Sequence, residues 1–545
     1  MNNGWVWSSR MGKDLSVKTN EPQRENWGSK FGLILAMAGN AVGLGNFWRF
    51  PYQAASNGGG AFMIPYIAAL LIVGIPLILV EWMQGRYGGK YGHGTLGYMI
   101  YLQTREKLRP KKALIIGSIV GAFVIGVTVL VNSYYNHIIG WTLGYSFLTA
   151  TGAYMDPAIQ GGKFFVEYIQ NPVYVFTFWI LSLGFLAFAV TRGIQKGIEA
   201  WAKLMMPLLY IFGFILMFKV FTLGAPVNPD WSAIGGLNYL WTPRWDQLSF
   251  KSVLAACGQI FFTLSIGMGI VQNYASYVKQ DEDIVTTAIA CVSLNEFAEV
   301  ILGGTIAIPI AYAFLGNDGI GAGVGLSFIA LPNIFKVMSG GRIIGTLWFL
   351  LLFFAGFTSA IAMYNYLVSI FTEDVKMSRK KASMLVFGLY ILVGLPVGLE
   401  PILTQTDALA YFTEIDNWVG TYLLVVVGLI EIIVTGWFMK DNFLDEVNRG
   451  AYWKVPKWIF NVMIKFVTPI MLIVVLIGST RDYIIAGYFK AIPSFVEKLP
   501  TLVPWVNSAR LVILTVFIIG FIGTYRSIKN IYGEEIKGNK ILIKK

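Results

Sequence analysis

Apolar runs punctuated by short clusters of charge dominate this chain. Runs long enough to cross about 30 Å of hydrocarbon fall at about 31–56, 61–85, 113–148, 172–190, 199–222, 250–276, 285–314, 343–371, 383–399, 407–438, 456–479 and 504–525. The pattern predicts an all-α polytopic membrane protein with 12 transmembrane helices. Two of the runs are interrupted. Within the first, Gly39, Asn40, Gly43, Gly45, Asn46, Arg49 and Pro51 stand where an unbroken helix would pass. In a helix interior glycine costs about 1 kcal/mol against alanine, and proline about 3 kcal/mol. An arginine near the bilayer centre costs roughly 2.5–3.5 kcal/mol on insertion scales. Irregular backbone at membrane depth survives only where it is buried in protein or lines a wet cavity. Within the sixth run, Gly258, Thr263, Ser265, Gly267 and Gly269 make a second interruption.

The interruptions lie in the first and sixth runs, and a repeat of five spans, an odd number, inserts with inverted topology. This predicts a 5+5 inverted repeat with broken first and sixth helices, the arrangement that builds a binding site at the membrane midplane. The repeats fall at about 31–222 and 250–438, with extra helices at about 456–525. Residues 1–22 then form a cytoplasmic tail, 23–528 a single transporter domain, and 529–545 a basic cytoplasmic tail. Gly39 and Gly43 alone fit a close helix-packing motif. Two breaks in register, with asparagine and threonine inside them, point instead to a site for small ions and a polar solute.

Composition agrees with the pattern. Mean hydropathy is +0.61 and only 13% of the 545 residues are charged, against roughly 25% in soluble proteins. The net charge of +12 would suit a polyanion partner if it formed a patch. Instead most Lys and Arg fall in the N-terminal tail, near 86–112, 192–203, 376–381 and 440–457, and in the C-terminal tail. By the positive-inside rule these segments and both termini are cytoplasmic. No nucleic-acid partner is expected, and the chain is placed in the cell (inner or plasma) membrane as a multi-pass protein. The first thirty residues lack an apolar core, so no cleavable signal peptide is expected. Cys257 and Cys291 lie inside apolar runs, which leaves no disulfide framework or Cys/His metal cluster. Residues 150–170 and 223–249 are expected to fold over the outer face, and 316–340 to form a short re-entrant helical hairpin. No HExxH, GxSxG, Walker or CxxC motif is present, and the chain is not expected to be an enzyme.

The run NWGSKFGLILAMAGNAVGLGNFWRFPYQAASNGGGAFMIPYIAALLIVGIPLILVEWMQGRYGG (26–89) resembles the signature of the neurotransmitter:sodium symporter family. The likeness continues through GQIFFTLSIGMG, YASYV, LNEFAEVILGG, FFAGFTSAIA and EIDNWVGT, and covers about residues 23–528. It implies a sodium-coupled symporter with two sodium sites. The first would use oxygens of Ala41, Asn46, Thr263 and Asn295 with the substrate carboxylate, and the second those of Gly39, Val42, Ala355, Thr358 and Ser359. Oxygen donors are what a hard cation needs. For an isolated Thr-Ser pair such as Thr358 and Ser359, hydrogen bonding back to the preceding turn is the ordinary expectation, and only the resemblance reverses it.

The resemblance also places a substrate carboxylate on the N–H groups of Leu44 and Gly45 and the Tyr135 hydroxyl. The amino group would meet carbonyls of Ala41, Phe262 and Thr263 and the Ser265 hydroxyl. Helix N-termini favour anions and C-termini cations, which suits a zwitterion between two broken helices. Family members that take monoamines usually carry aspartate where Gly43 stands, so an amino acid is expected here. Its side chain would lie among Val131, Tyr135, Phe262, Ser265, Met268, Ser359 and Met363, an apolar set suited to a neutral, aliphatic residue. Met268 and Met363 stand where a leucine-transporting member carries Phe and Ile, which leaves the preferred side chain open. Glu299 takes the place of chloride in balancing charge, so chloride is not expected. Glu81 resembles a residue that hydrogen-bonds the first break. Arg49 would pair with Asp416 as an outer gate, and Arg24 with Glu373 or Asp374 as an inner one. A channel or a non-transporting amino-acid receptor of the same fold is the alternative. The oligomeric state stays open, a homodimer included.

Overall fold

The computed structural model describes residues 25–156, 159, 161–316, 325–439 and 442–541, and these form helices without a strand. Ten helices are long and apolar enough to cross a membrane, and a bent pair, Lys30–Ala41 and Gly45–Ser56 at 47°, makes an eleventh span. We call the pair α1a and α1b. The others are α2 (Gly60–Lys90), α3 (Pro110–Thr151), α4 (Pro172–Thr191) and α5 (Ile194–Phe221). The sixth span is the two short helices α6a (Phe250–Thr263) and α6b (Ile270–Ala275). Then follow α7 (Ile284–Leu315), α8 (Gly341–Asp374), α9 (Arg379–Thr404), α10 (Ala410–Met439), α11 (Ile459–Ile485) and α12 (Pro500–Ile531). The twelve predicted spans are thus all present, with the breaks in the first and the sixth.

Local chemistry sets where several of these helices start. Ser29 accepts the Gly32 N–H at 3.0 Å and opens α1a. Asn171 caps α4 with Pro172 at its first position, where a missing N–H does no harm. Ser249 accepts from Ser252 N–H ahead of α6a, and Asp283 from Thr286 N–H ahead of α7.

α3 runs along α8 for much of its length, and α1a lies against α5, α7 and α8. The most apolar windows of α3, α7 and α8 are each 72% buried inside the protein, while that of α12 is 17% buried. The first three therefore form the interior and α12 a lipid-facing wall. The predicted outer connections contain helices Gly161–Gln170 and Ala233–Trp241. Of the predicted hairpin at 316–340, helix Leu326–Val337 is present, and residues 317–324 lie outside the described set. Short helices not foreseen in the sequence occupy Leu96–Leu108, Asn442–Val447 and Gly533–Gly538.

Candidate functional site

A helix that stops at Ala41 leaves main-chain groups without the partners four residues along that would normally take them. Here side chains replace those partners. Gly43 N–H donates to Asn46 Oδ1 at 2.8 Å and Leu44 N–H to the Tyr135 hydroxyl at 2.9 Å. On the other side of the break, the Asn40 carbonyl accepts the Ser265 hydroxyl at 3.0 Å and the Ser359 hydroxyl at 2.9 Å. Ser359 also approaches the Gly39 carbonyl at 3.3 Å. Three helices, α3, α6 and α8, therefore meet the first break through hydroxyls. Asn40 is a site residue that side-chain reasoning missed, because it acts through its carbonyl.

The second break is held open by backbone conformation. Ser265, Gly267 and Gly269 have φ of 56°, 76° and 72°, a region glycine enters freely and serine rarely. A Cβ at Gly267 would come within 2.4 Å of the Leu424 carbonyl, so the close approach of α10 also requires glycine there. Gly267 N–H donates to Glu81 Oε1 at 2.8 Å. Glu81 thus holds the second break, not the first as its family resemblance implied.

Of the residues expected at the first ion site, Asn46, Asn295 and Thr263 are brought together in one hydrogen-bonded chain. Asn46 Nδ2 donates to Asn295 Oδ1 at 2.9 Å, and Asn295 Nδ2 to Thr263 Oγ1 at 3.0 Å. The Thr263 hydroxyl donates to Glu299. Glu299, fully buried, also takes Gln259 Nε2 at 2.8 Å and lies 3.0 Å from the Tyr66 hydroxyl. The same hydroxyl lies 2.8 Å from Glu296 Oε2. Gln259, Tyr66 and Glu296 are further residues the sequence reading passed over. The polar Gln259 in the apolar run GQIFF was the available signal.

Among the residues expected at the second ion site, Thr358 donates to the carbonyls of Phe354 at 2.9 Å and Ala355 at 3.1 Å. This is the back-bonding expected of such a residue, and it uses the hydroxyl's proton while leaving its oxygen able to accept. A Cβ at Gly39 would lie 3.1 Å from Thr358 Cβ, so α1a and α8 touch here. Val42 is fully buried at the end of α1a.

Ala41, Gly43, Gly45, Asn46, Val131, Tyr135, Phe262, Ser265, Met268, Ile270, Ser359 and Met363 line one enclosed space of about 20 Å³. That is room for about one water, so an amino-acid side chain requires these walls to part. Every residue expected to contact the substrate side chain is among them. A Cβ at Gly43 would meet Ser359 Oγ and the Tyr135 hydroxyl, both at 2.8 Å, which leaves no room for an acid there.

At the outer gate Arg49 lies within electrostatic range of Asp416 but makes no direct ion pair with it. Its Nη1 donates to Gln259 Oε1 at 2.9 Å and to the Gly258 carbonyl at 3.2 Å, and its guanidinium lies 4.9 Å from the Phe262 ring centre. Asp416 instead accepts the Tyr134 hydroxyl at 2.6 Å. The side-chain amide, with its own donor and acceptor, satisfies the arginine and passes the contact on to Glu299. On the opposite side, Glu373 accepts Gly94 N–H at 2.7 Å and the Tyr277 hydroxyl at 3.3 Å. Asp374 lines a different cavity of about 260 Å³ with Thr95, Phe371 and Thr524. Arg24 lies outside the described residues. Trp27, three residues on, donates to the Tyr274 carbonyl at 3.0 Å.

Comparison with known proteins places this geometry. The model of the sodium:neurotransmitter symporter family matches residues 24–155 and 169–526. An uncharacterised sodium-dependent transporter of Methanocaldococcus jannaschii is 32% identical over 484 residues, covering 86% of this chain and 92% of the relative. Sodium-dependent nutrient amino acid transporter 1 of Drosophila erecta is 25% identical over 547 residues, covering 84% of this chain and 78% of its own. The crystal structure of MhsT in complex with L-phenylalanine aligns with a TM-score of 0.73 at 32% identity, covering 84% of this chain and all of that one. With two broken spans facing one buried polar cluster and a family match across most of its length, the chain belongs to the sodium:neurotransmitter symporter family.

Proposed function

We propose that this sodium-dependent transporter is a symporter for a neutral amino acid with an apolar, aliphatic side chain, working by alternating access. The observation that carries the reading is the pairing of two breaks at one cluster. Several main-chain N–H and C=O groups there, those of Gly43, Leu44 and Asn40, are held by side-chain hydroxyls and amides that can exchange them for a ligand. The Leu44 N–H, Gly45 and Tyr135 would receive the carboxylate. Carbonyls of Ala41, Phe262 and Thr263, with Ser265, would receive the amino group. Sodium would be carried on Ala41, Asn46, Thr263 and Asn295, and on Gly39, Val42, Ala355, Thr358 and Ser359. These are neutral oxygen donors of the kind a hard cation takes. Because one sodium and the substrate share Ala41 and Thr263, each raises the affinity for the other, and the coupling is reciprocal.

Glu299 beside Thr263 places an acidic side chain at the ion site, and the reading of chloride independence rests on it. Met268 and Met363 set the side-chain wall. Methionine repacks easily, so leucine and methionine are the expected preferred substrates, and the L-phenylalanine held by MhsT makes aromatic side chains the first to test beyond them. The basic segments put both termini in the cytoplasm of a cell-membrane protein.

Uptake into proteoliposomes under an imposed inward sodium gradient, screened over the twenty amino acids, tests the reading. Accumulation of an apolar amino acid that needs sodium and persists when gluconate replaces chloride is the expected result. Uptake indifferent to sodium, or absent for every amino acid, overturns it.

A further inference from the structure

We propose that Glu81 of α2 and Glu431 of α10 form a proton-binding site between the helices, separate from the ion and substrate cluster. Both side chains are fully buried. Their carboxyls lie within hydrogen-bonding reach of each other and of the Gln272 side chain on α6b. Only Glu81 Oε1 has a conventional donor, the Gly267 N–H. Glu81 Oε2, both oxygens of Glu431 and Gln272 Oε1 are buried acceptors with no donor. A buried acceptor without a donor is costly, and here they converge. Two carboxyl groups in contact cannot satisfy one another unless a proton lies between them, and like charges at such range do not both persist in a low-dielectric interior.

The surroundings supply no counter-charge. From α2 comes Gln84, whose Nε2 donates to Thr435 Oγ1 at 3.1 Å and Gln103 Oε1 at 3.3 Å. Gln272 Nε2 donates to Gln84 Oε1 at 3.4 Å. From α8, the Tyr366 phenol faces Glu431. None of these carries a positive charge, and neither carboxyl has a cationic partner among the described residues.

A metal ion fits less well than a proton. A hard cation gathers more oxygens than this pair offers, the two proposed sodium sites drawing on five donor groups each, and one of the four carboxyl oxygens already receives an N–H. Among the described residues no group of three His, Cys, Asp or Glu could hold a metal.

The site touches the transport machinery at one point. Glu81 holds the N–H of Gly267, inside the left-handed stretch that keeps α6 broken. Loss of the proton to water leaves two facing carboxylates, pushes α10 from α2, and loosens that hold. Proton binding thus favours the packed arrangement around the second break.

Infrared difference spectroscopy on the full chain in lipid nanodiscs tests this directly. The wild-type protein at neutral pH is expected to show a protonated-carboxyl C=O band. The band is lost on raising the pH, and lost in both Glu431→Gln and Glu81→Gln, because the new amide donates to the remaining carboxylate. Glu299→Gln should keep it. In parallel, the wild-type thermal unfolding midpoint should fall as the band disappears, while that of Glu431→Gln stays level over the same range. Should one variant fail to fold, the wild-type band and the other variant still decide. A wild-type spectrum without the band, or a band that survives both glutamine replacements, overturns the proposal. So does a band removed by sodium at constant pH, which would make the pair a cation site.

Discussion

Gly43 is the residue on which the shape of the site turns. Any side chain there would meet two hydroxyls, those of Tyr135 and Ser359, at 2.8 Å. Both hydroxyls are engaged, one with Leu44 N–H and the other with the Asn40 carbonyl, so neither can retreat freely. Overpacking of this kind costs about 1–3 kcal/mol. Gly43→Ala should therefore weaken amino-acid binding by about 5–150-fold, measured by equilibrium binding on purified protein. Wild-type affinity in that variant would show that the two hydroxyls are not fixed by the break. At this scale the sequence was legible where a residue type was out of place in its run. Gly39, Asn46, Thr263, Ser265 and Glu299 were all visible as polar or flexible residues in an apolar stretch. Asn40 was noticed for its side chain, while its carbonyl is what binds. Sequence shows two opposite charges, Arg49 and Asp416, but not the neutral amide of Gln259 that receives the arginine directly.

Among the elements, α7 shows how a helix start fixes the site's geometry. Asp283 caps it, accepting Thr286 N–H at 3.0 Å and the Thr286 hydroxyl at 2.7 Å, and it also receives Tyr452 N–H at 3.0 Å from the connection between α10 and α11. Burial alone would raise the Asp283 carboxyl, but the hydroxyl and N–H donors outweigh it and hold the group below its usual range. A carboxyl lowered on folding contributes stability above its unfolded pKa and loses it as pH falls through the folded value. Asp283→Ala should cost about 1 kcal/mol, as lost N-caps do. Asp283→Asn should keep much of the cap but flatten the acid side of the stability profile. Thermal unfolding in detergent from neutral to acidic pH checks both, and an unchanged acid limb in Asp283→Asn would count against the cap. The helix count and both breaks could be read from hydropathy and glycine placement. The short helices Leu96–Leu108 and Asn442–Val447 could not, since their charged sequences read as connections and only packing makes them helical.

In the whole molecule, α2 ties distant segments together at its end. Arg86, fully buried, pairs with Glu446 at 3.0 Å and donates to the carbonyls of Glu282 at 2.7 Å and Arg449 at 3.0 Å. Removing one partner of a buried pair costs about 3–5 kcal/mol, because the other charge stays behind. Glu446→Ala and Glu446→Gln are therefore both expected to lower the unfolding midpoint markedly, and a midpoint unchanged in both would mean that the pair is solvated. The break in the first span has a consequence at this scale as well. Ser265 and Ser359 come from different helices of the second repeat, yet both donate to the single carbonyl of Asn40 in the first. On the proposed roles, one hydroxyl serves the amino acid and the other a sodium ion. Either ligand alone frees the carbonyl from one helix and leaves it tied to the other. The arrangement behaves as a lock with two keys: an ion arriving without its passenger finds the door still held, and the gradient is not spent on empty turnovers.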